Sequence, residues 1–248
     1  MKIRTTIAVM AAKITGHVCK LMGRQGVTWA GKVAMKICPD ILSRVRLPEH
    51  IIAVTGSNGK TSTVEMIAAI LRSGGKTVVY NQEGSNQIEG VTTTVLTHAT
   101  LTGRVRADVL LLESDERYAA HSFKFFHPTQ FVITNLYRDQ LTRNGHPEWV
   151  YDAILPAIHP DTELLLNADD PLVSCFARGH EKVKWFGLDP QVLSLPAPTG
   201  VYHDGAYCPV CHAPMEYDYV HYNHIGAFRC TKCGGEGRNK AARDDDYE

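Results

Sequence analysis

The chain has 248 residues, 44% of them hydrophobic, and its 26 acidic and 26 basic residues leave a formal charge of zero. That length and apolar content suffice for one sizeable α/β domain with a small module, or for two modest domains. The neutral balance argues against a nucleic-acid binder, which meets phosphates with a basic excess, and no run approaches the ~20 apolar residues of a bilayer-spanning helix.

Ile7, Met10, Ala11, Ile14, Val18, Leu21 and Met22 recur at helical spacing and predict an amphipathic helix. Lys13 interrupts the apolar stretch and no cleavage site follows, so the helix is expected to dock on the body rather than to direct export. Residues 1–48 thus read as a helical lead-in. Residues 51–55, IIAVT, are apolar on every side, like a buried parallel strand. A helix is predicted over 63–71, closed by Ser73-Gly74-Gly75. KTVVY is a second strand, and GVTTTVLTHATL reads as a helix despite its β-branched threonines. ADVLLLESDE, residues 130–134, TELLLNADDP and KVKWFGL supply strands three to six, with a helix after Pro147 between the fourth and fifth. Strands alternating with helices predict an α/β fold with a doubly wound, mostly parallel sheet over residues 49–191. Polar residues gather just after the strands, at 56–61, 113–116, Asn135 with Asp139, and 167–170. Ligands of open α/β sheets bind beyond the carboxyl ends of the strands, so these clusters are expected to share one site.

The first cluster reads TGSNGKTS. Consecutive inward-facing amides and a helix N-terminus form a phosphate cradle, glycines let the backbone approach, a lysine reaches the β/γ-phosphates and the next hydroxyl ligates Mg²⁺. Gly56, Gly59, Lys60 and Thr61 fill those roles, with Ser57, Asn58 and Ser62 in the same loop. The spacing G-x-x-x-x-G-K-[ST] is not met, because its first Gly falls at Val54; a glycine turn without function is the alternative. A second Mg²⁺ ligand is expected at the end of a neighbouring strand. Glu113 is the choice, with Asp115 and Glu116 as alternatives and a solvated strand-end acid as the bland reading.

TGSNGKTST resembles the ATP loop of the Mur ligase family, in which T-G-T-N-G-K-T is typical. NLYRDQLTRNG, LNADDP and GKVAMKICPDIL are similar to segments of one group within it, the ligase subunits of lipid II isoglutaminyl synthase. The resemblance runs from about residue 20 to 235 and implies ATP-driven conversion of a carboxylate to an acyl phosphate, which an amine then attacks. In that group the carboxylate is the α-carboxyl of D-glutamate in the lipid II stem peptide. The amine is ammonia from a glutaminase partner of the GatD type, and the setting is cytoplasmic peptidoglycan synthesis with at most peripheral membrane contact. Lys60 and Glu113 are then catalytic, and Asn86 and Asn167 are expected at the nucleotide. Asp169 and Asp170 are either nucleotide contacts or caps of the segment PLVSCFA. Asp139 is a substrate- or water-positioning group or a helix cap. Gln140 stands where many relatives place a metal-binding His, and Thr142 and Asn144 replace the usual Asp and Tyr. The group's C-terminal domain, with its aspartate, is expected to be absent from this chain, as in a fragment, a short gene product or a degenerate copy.

The seven cysteines are odd in number and include C-x-x-C twice, Cys208 with Cys211 and, eighteen residues on, Cys230 with Cys233. This is a zinc-ribbon pattern in a reduced compartment, read as cytoplasm, rather than a disulfide framework. Four thiolates leave no open position, so the Zn²⁺ would be structural. His212, His221 and His224 compete as ligands but are not needed, and Cys19, Cys38 and Cys175 read as buried thiols. The aromatics of YDYVHYNH are expected to pack in a small sheet rather than to stack on RNA bases. The ribbon spans 192–237, and 238–248 reads as a disordered tail. A second reading of the whole is an inactive, nucleotide-binding zinc-ribbon module with a regulatory role. A third is another Mur-type ligase such as a folylpolyglutamate synthase.

Overall fold

A computed structural model describes residues 3–22, 28–81, 86–138, 145–199 and 204–236. The chain divides into two compact units. The first holds residues through Thr55, Gly59–Phe131 and Pro156–Thr162; the second holds Gly56–Asn58, Val132–Leu155 and the chain from Glu163 onward.

The first unit opens with three helices, α1 (Ile3–Leu21), α2 (Trp29–Ile37) and α3 (Ile41–Arg44). Then come β1 (His50–Thr55), α4 (Lys60–Ser73), β2 (Val78–Tyr80), α5 (Ile88–His98), β3 (Val109–Glu113) and α6 (Ala119–Ser122). Its strands lie in the order β2-β3-β1. Both pairings are parallel, with His50 opposite Val109 and Val78 also opposite Val109. All five residues of β3 are buried, which is why an unbroken Val-Leu-Leu-Leu run, rather than an alternating one, makes this strand. Helix α5 buries Thr92, Thr93 and Thr94. The first two hydroxyls are satisfied within the helix: Thr92 donates to Ile88 O at 2.7 Å and Thr93 to Glu89 O at 2.9 Å, bonds that let polar β-branched residues sit inside a packed helix. The α2 backbone comes against α5, where Gly31 N donates to Thr93 Oγ1 at 2.8 Å. A Cβ at position 31 would overlap Glu89 O, so only glycine permits this approach.

β4 (Gln130–Ile133) begins in the first unit and enters the second at Val132, and β5 (Glu163–Asn167) and β6 (Val183–Phe186) follow it in the sheet in that order, with β5 and β6 parallel. Helix α7 (Pro147–Ile154) starts at its proline, as the sequence predicts, and a 3₁₀ turn (Val173–Ala177) follows β5. β7 (Met215–Tyr222) and β8 (Ile225–Cys230) form an antiparallel hairpin, the small aromatic sheet expected from the sequence.

Of the thiols outside the two C-x-x-C pairs, Cys38 is buried but Cys19 and Cys175 are only half-buried, which corrects the expectation for those two. Cys19 lies beyond Thr5, Ala8, Val9 and Ala12, the residues that α1 buries. No helix among the described residues is long and apolar enough to cross a membrane.

Candidate functional site

The turn after β1 is shaped by two glycines in the left-handed half of conformational space, Gly56 at φ 136° and Gly59 at φ 80°. In the second unit, the end of β4 holds residues 56–58 from outside. Ser57 N donates to Asn135 O at 2.8 Å and Asn58 N to Asn135 Oδ1 at 3.0 Å. Thr134 Oγ1 and Asn135 Nδ2 both donate to Asn58 O, at 2.9 and 3.1 Å. Ser57 Oγ exchanges 3.1 Å bonds with the Tyr137 backbone, and the Tyr137 hydroxyl meets the Asn58 amide. A Cβ on Gly56 would overlap Thr134 Oγ1, so the packing as well as the torsion requires glycine. The amides of Ser57 and Asn58 therefore serve to fix the loop in this conformation.

In the first unit, α4 starts at Lys60 rather than at the predicted 63, and Gly59 is its N-cap. The first intrahelical bond runs from Thr63 N to Gly59 O at 2.9 Å. Lys60, Thr61 and Ser62 thus occupy the first turn, whose N–H groups have no intrahelical acceptors and which carries the positive end of the helix dipole. The early start moves two side chains onto β3 and its continuation. Thr61 Oγ1 donates to Glu113 Oε2 at 2.8 Å, and Lys60 Nζ lies 3.1 Å from Glu116 Oε2. Glu113, Asp115 and Glu116 are all buried. Asn81 holds Glu113 in place by bonding both its carbonyl, at 2.9 Å, and its N–H, at 2.7 Å. Asn86 O accepts from Asp115 N at 3.3 Å.

Of the three acids weighed from sequence, Glu113 is the one brought to the Thr61 hydroxyl; Glu116 pairs with the lysine, and Asp115 turns back to cap the Arg117 amide at 3.1 Å. Tyr137 lies within NLYRDQLTRNG, without a role assigned there, whereas Asn81 and Thr134 belong to none of the motifs read from the sequence. Their signal is positional, a polar residue directly at or after the end of a strand, as for Asn135.

The remaining predicted polar cluster follows β5. Asn167 Nδ2 donates to Thr134 O at 2.8 Å, and its Oδ1 accepts from Asp169 N at 3.0 Å. Asp170 caps the 3₁₀ turn, Oδ1 accepting from Leu172 N and Val173 N, while Oδ2 accepts from Leu136 N at 2.6 Å. Its capping reading is thus observed. Burial pushes the Asp170 carboxyl up; the nearby His224 and these backbone amides oppose the shift. Asp169 Oδ2 accepts from Leu188 N at 2.8 Å, and Asp169 O accepts from Gly226 N at 2.9 Å. The positions of Asp139, Gln140, Thr142 and Asn144 lie outside the described residues.

The four thiols of Cys208, Cys211, Cys230 and Cys233 converge, with every pair of sulfurs within 4.8 Å. Cys208 and Cys233 are 3.6 Å apart and Cys211 and Cys230 3.4 Å. A tetrahedral ion with Zn–S bonds of about 2.3 Å sets its sulfurs roughly 3.8 Å apart, so the cluster fits zinc without rearrangement. The residue after each pair is left-handed, His212 at φ 57° and Gly234 at φ 67°. Each knuckle also turns its amides toward sulfur. The N–H groups of Cys233 and Lys232 pull the Cys230 thiol down to about 6, whereas burial pushes the Cys208 thiol up. Among the described residues none of the three candidate histidines joins the cluster. His221 meets Ser194 Oγ at 3.1 Å and Leu188 O at 3.2 Å, and His224 is buried with an unpartnered Nδ1.

A Mur ligase middle-domain model matches residues 54–204 of the chain. The chain belongs to the Mur ligase family. Among curated relatives, this Mur ligase chain is 35% identical over 240 residues to the MurT subunit of the glutamine-hydrolysing lipid II isoglutaminyl synthase of Streptococcus pneumoniae, covering 94% of this chain and 52% of the relative. It is 30% identical over 233 residues to the same subunit of Staphylococcus aureus strain COL, covering 93% and 52%. The chain thus spans about half the length of the curated relatives it matches. The fold is shared with a pseudomurein peptide ligase type C from Methanothermus fervidus, at TM-score 0.60 and 24% identity over 80% of this chain and 38% of that one. It is also shared with the MurF ligase of Thermotoga maritima, solved with ADP, at TM-score 0.53 and 20% identity over 67% and 38%. The mostly parallel α/β architecture expected from sequence is the Mur ligase central-domain fold.

Proposed function

We propose that this chain carries the nucleotide-binding part of an ATP-dependent amide ligase of the isoglutaminyl synthase kind. On this reading the substrate is the α-carboxylate of D-glutamate in the lipid II stem peptide. ATP converts it to an acyl phosphate, and ammonia from a glutaminase partner then displaces phosphate to leave D-isoglutamine. The observation that carries the reading is the 2.8 Å contact between Thr61 and Glu113 at the first turn of α4, one residue from Lys60. A hydroxyl and a buried carboxylate face each other there, and together they would hold a Mg²⁺. The ion would supply charge neutralisation at the β/γ-phosphates. Phosphoryl transfer needs little covalent help from the protein and depends on positioning and electrostatics.

The chain's own residues supply the rest. Gly59, Lys60, Thr61 and Ser62 offer first-turn amides to the phosphates, and Gly56, Ser57 and Asn58 keep the backbone in the shape that presents them. Lys60 exchanges Glu116 for the terminal phosphate, a swap that leaves its charge paired throughout. Asn86 and Asn167 are assigned to the nucleoside side. The four cysteines hold a structural Zn²⁺ that closes the ribbon.

Titrating MgATP calorimetrically into the parent chain and into Lys60→Ala, Thr61→Ala and Glu113→Gln tests the assignment. Loss of a charge-assisted contact should weaken binding roughly 10- to 100-fold. Variants that bind like the parent would refute it. Assaying ATP turnover with lipid II, glutamine and a glutaminase subunit separates the ligase from the rival binding module, which would hold nucleotide without consuming it.

A further inference from the structure

Helix α1 is apolar on two opposite sides, and its packing uses only one. Thr5, Ala8, Val9 and Ala12 are buried. Ile3, Ile7, Met10, Ile14, Val18 and Leu21 stand exposed, Ile3 at 80%, Ile14 at 61% and Leu21 at 76%. Their spacing of three and four residues draws a stripe along the whole helix, and at about 100° per residue it lies opposite the buried side. Met22 and Trp29 extend the exposed apolar surface, Trp29 at 63%. Surface aliphatics scattered singly need no explanation, but an ordered stripe marks a contact.

Charge identifies its occupant. Seven basic residues, Lys2, Arg4, Lys13, Lys20, Arg24, Lys32 and Lys36, precede the first acidic one, Asp40. The other nineteen Lys and Arg stand against all 26 acidic residues, so a chain of zero net charge carries +7 before Asp40 and −7 from Asp40 onward. Lys13, His17 and Lys20 project along one margin of the stripe and Arg4 along the other. Arg4 Nε and Lys13 Nζ are held by the carbonyls of Ile37, at 2.5 Å, and Thr97, at 2.8 Å, which fixes these cations beside the apolar band.

We infer that α1 and the start of α2 form a docking surface for an anionic phospholipid bilayer, the aliphatic stripe lying in the headgroup–acyl boundary and the lysines snorkelling to phosphate. A basic helix with an apolar face binds by buried apolar area plus attraction to anionic lipid. A second copy of the chain fits less well, since two such faces would bring like charges together. This inference is independent of the nucleotide assignment and goes beyond it.

The test is co-sedimentation with vesicles of phosphatidylcholine alone and of phosphatidylcholine mixed with phosphatidylglycerol, at low and high salt and without nucleotide or lipid II. The parent should bind the anionic vesicles, bind neutral ones at least about tenfold more weakly, and be released by salt. The double variant Ile7→Ser/Ile14→Ser changes only exposed side chains, and Lys20→Glu/Lys32→Glu only exposed cations. Each should cut anionic binding about tenfold or more while circular dichroism and MgATP affinity stay unchanged. Absence of vesicle binding, equal binding to both lipids, or binding retained by both variants would overturn the inference. So would a dimer in light scattering that Ile7→Ser/Ile14→Ser dissolves, which would assign the stripe to a second copy. Because MgATP affinity is read separately, failure here leaves the nucleotide assignment standing, and the reverse.

Discussion

At the scale of single residues, the loop after β1 is defined by what its neighbours exclude. Gly56 combines a torsion that L side chains avoid with a wall made by Thr134 and Asn135. Gly56→Ala should therefore destabilise the chain by about 2 kcal/mol or more, seen as a lowered midpoint in thermal unfolding. Gly59 has a similar torsion but open space around its Cβ position, so Gly59→Ala should cost only about 1 kcal/mol. A Gly59→Ala chain less stable than the Gly56→Ala chain would contradict this account. Asp40 offers a titration test on a different surface. A hydrogen bond from Arg44 holds its carboxyl down at about 2. Its folded value is depressed, so its contribution is complete above the ordinary aspartate range and is lost as pH falls toward about 2. Arg44→Ala should return Asp40 to the usual carboxylate range in an NMR titration, and an unmoved Asp40 would mean the contact is not the cause.

At the scale of elements, the strands are legible because burial on both faces leaves a signature of continuous β-branched and Leu runs, as in β3. The helices are less so. α2 and α3 fall inside the helical lead-in read over 1–48 but are not told apart there, and α6 is not read at all. α3 and α6 are single turns, too short for a period to register, and α2 places Gly31 at the contact where a periodic pattern would expect a large apolar residue. The sequence pattern starts α4 three residues late because the loop residues Lys60, Thr61 and Ser62 carry no apolar periodicity. The structure makes them helical because Gly59 supplies the left-handed cap. The β7–β8 hairpin is anticipated by its aromatics and its four cysteines, and its stability should follow the metal. One zinc per chain is expected by elemental analysis. Cys211→Ser should lose it and abolish hydrogen-exchange protection in β7 and β8. A hairpin still protected without zinc would show that the aromatic packing alone maintains it.

At the scale of the whole molecule, the functional reading is legible to the depth that short motifs allow. TGSNGKTS, the acid ending β3 and the paired cysteines each name residues that the fold brings to meaningful neighbours. What stays illegible is the support: Asn81 bracing Glu113, and Asn135 bracing the loop, are long-range contacts between segments whose pairing no local pattern announces. The same holds for the first helices, which read as a lead-in docked on the body with no partner named. Lys13 is bound to Thr97 O, Gly31 N to Thr93 Oγ1, and the Thr92 hydroxyl lies 3.5 Å from Met35 Sδ. Every one of these partners is on α5. A chimaera that exchanges residues 1–48 for those of a relative would therefore have to reproduce these contacts with α5 unless α5 travelled with the graft. The inheritable module is the set of α1, α2 and α5, a discontinuous piece of chain, and recombination breakpoints tolerated by this protein should fall around that set rather than between the lead-in and β1.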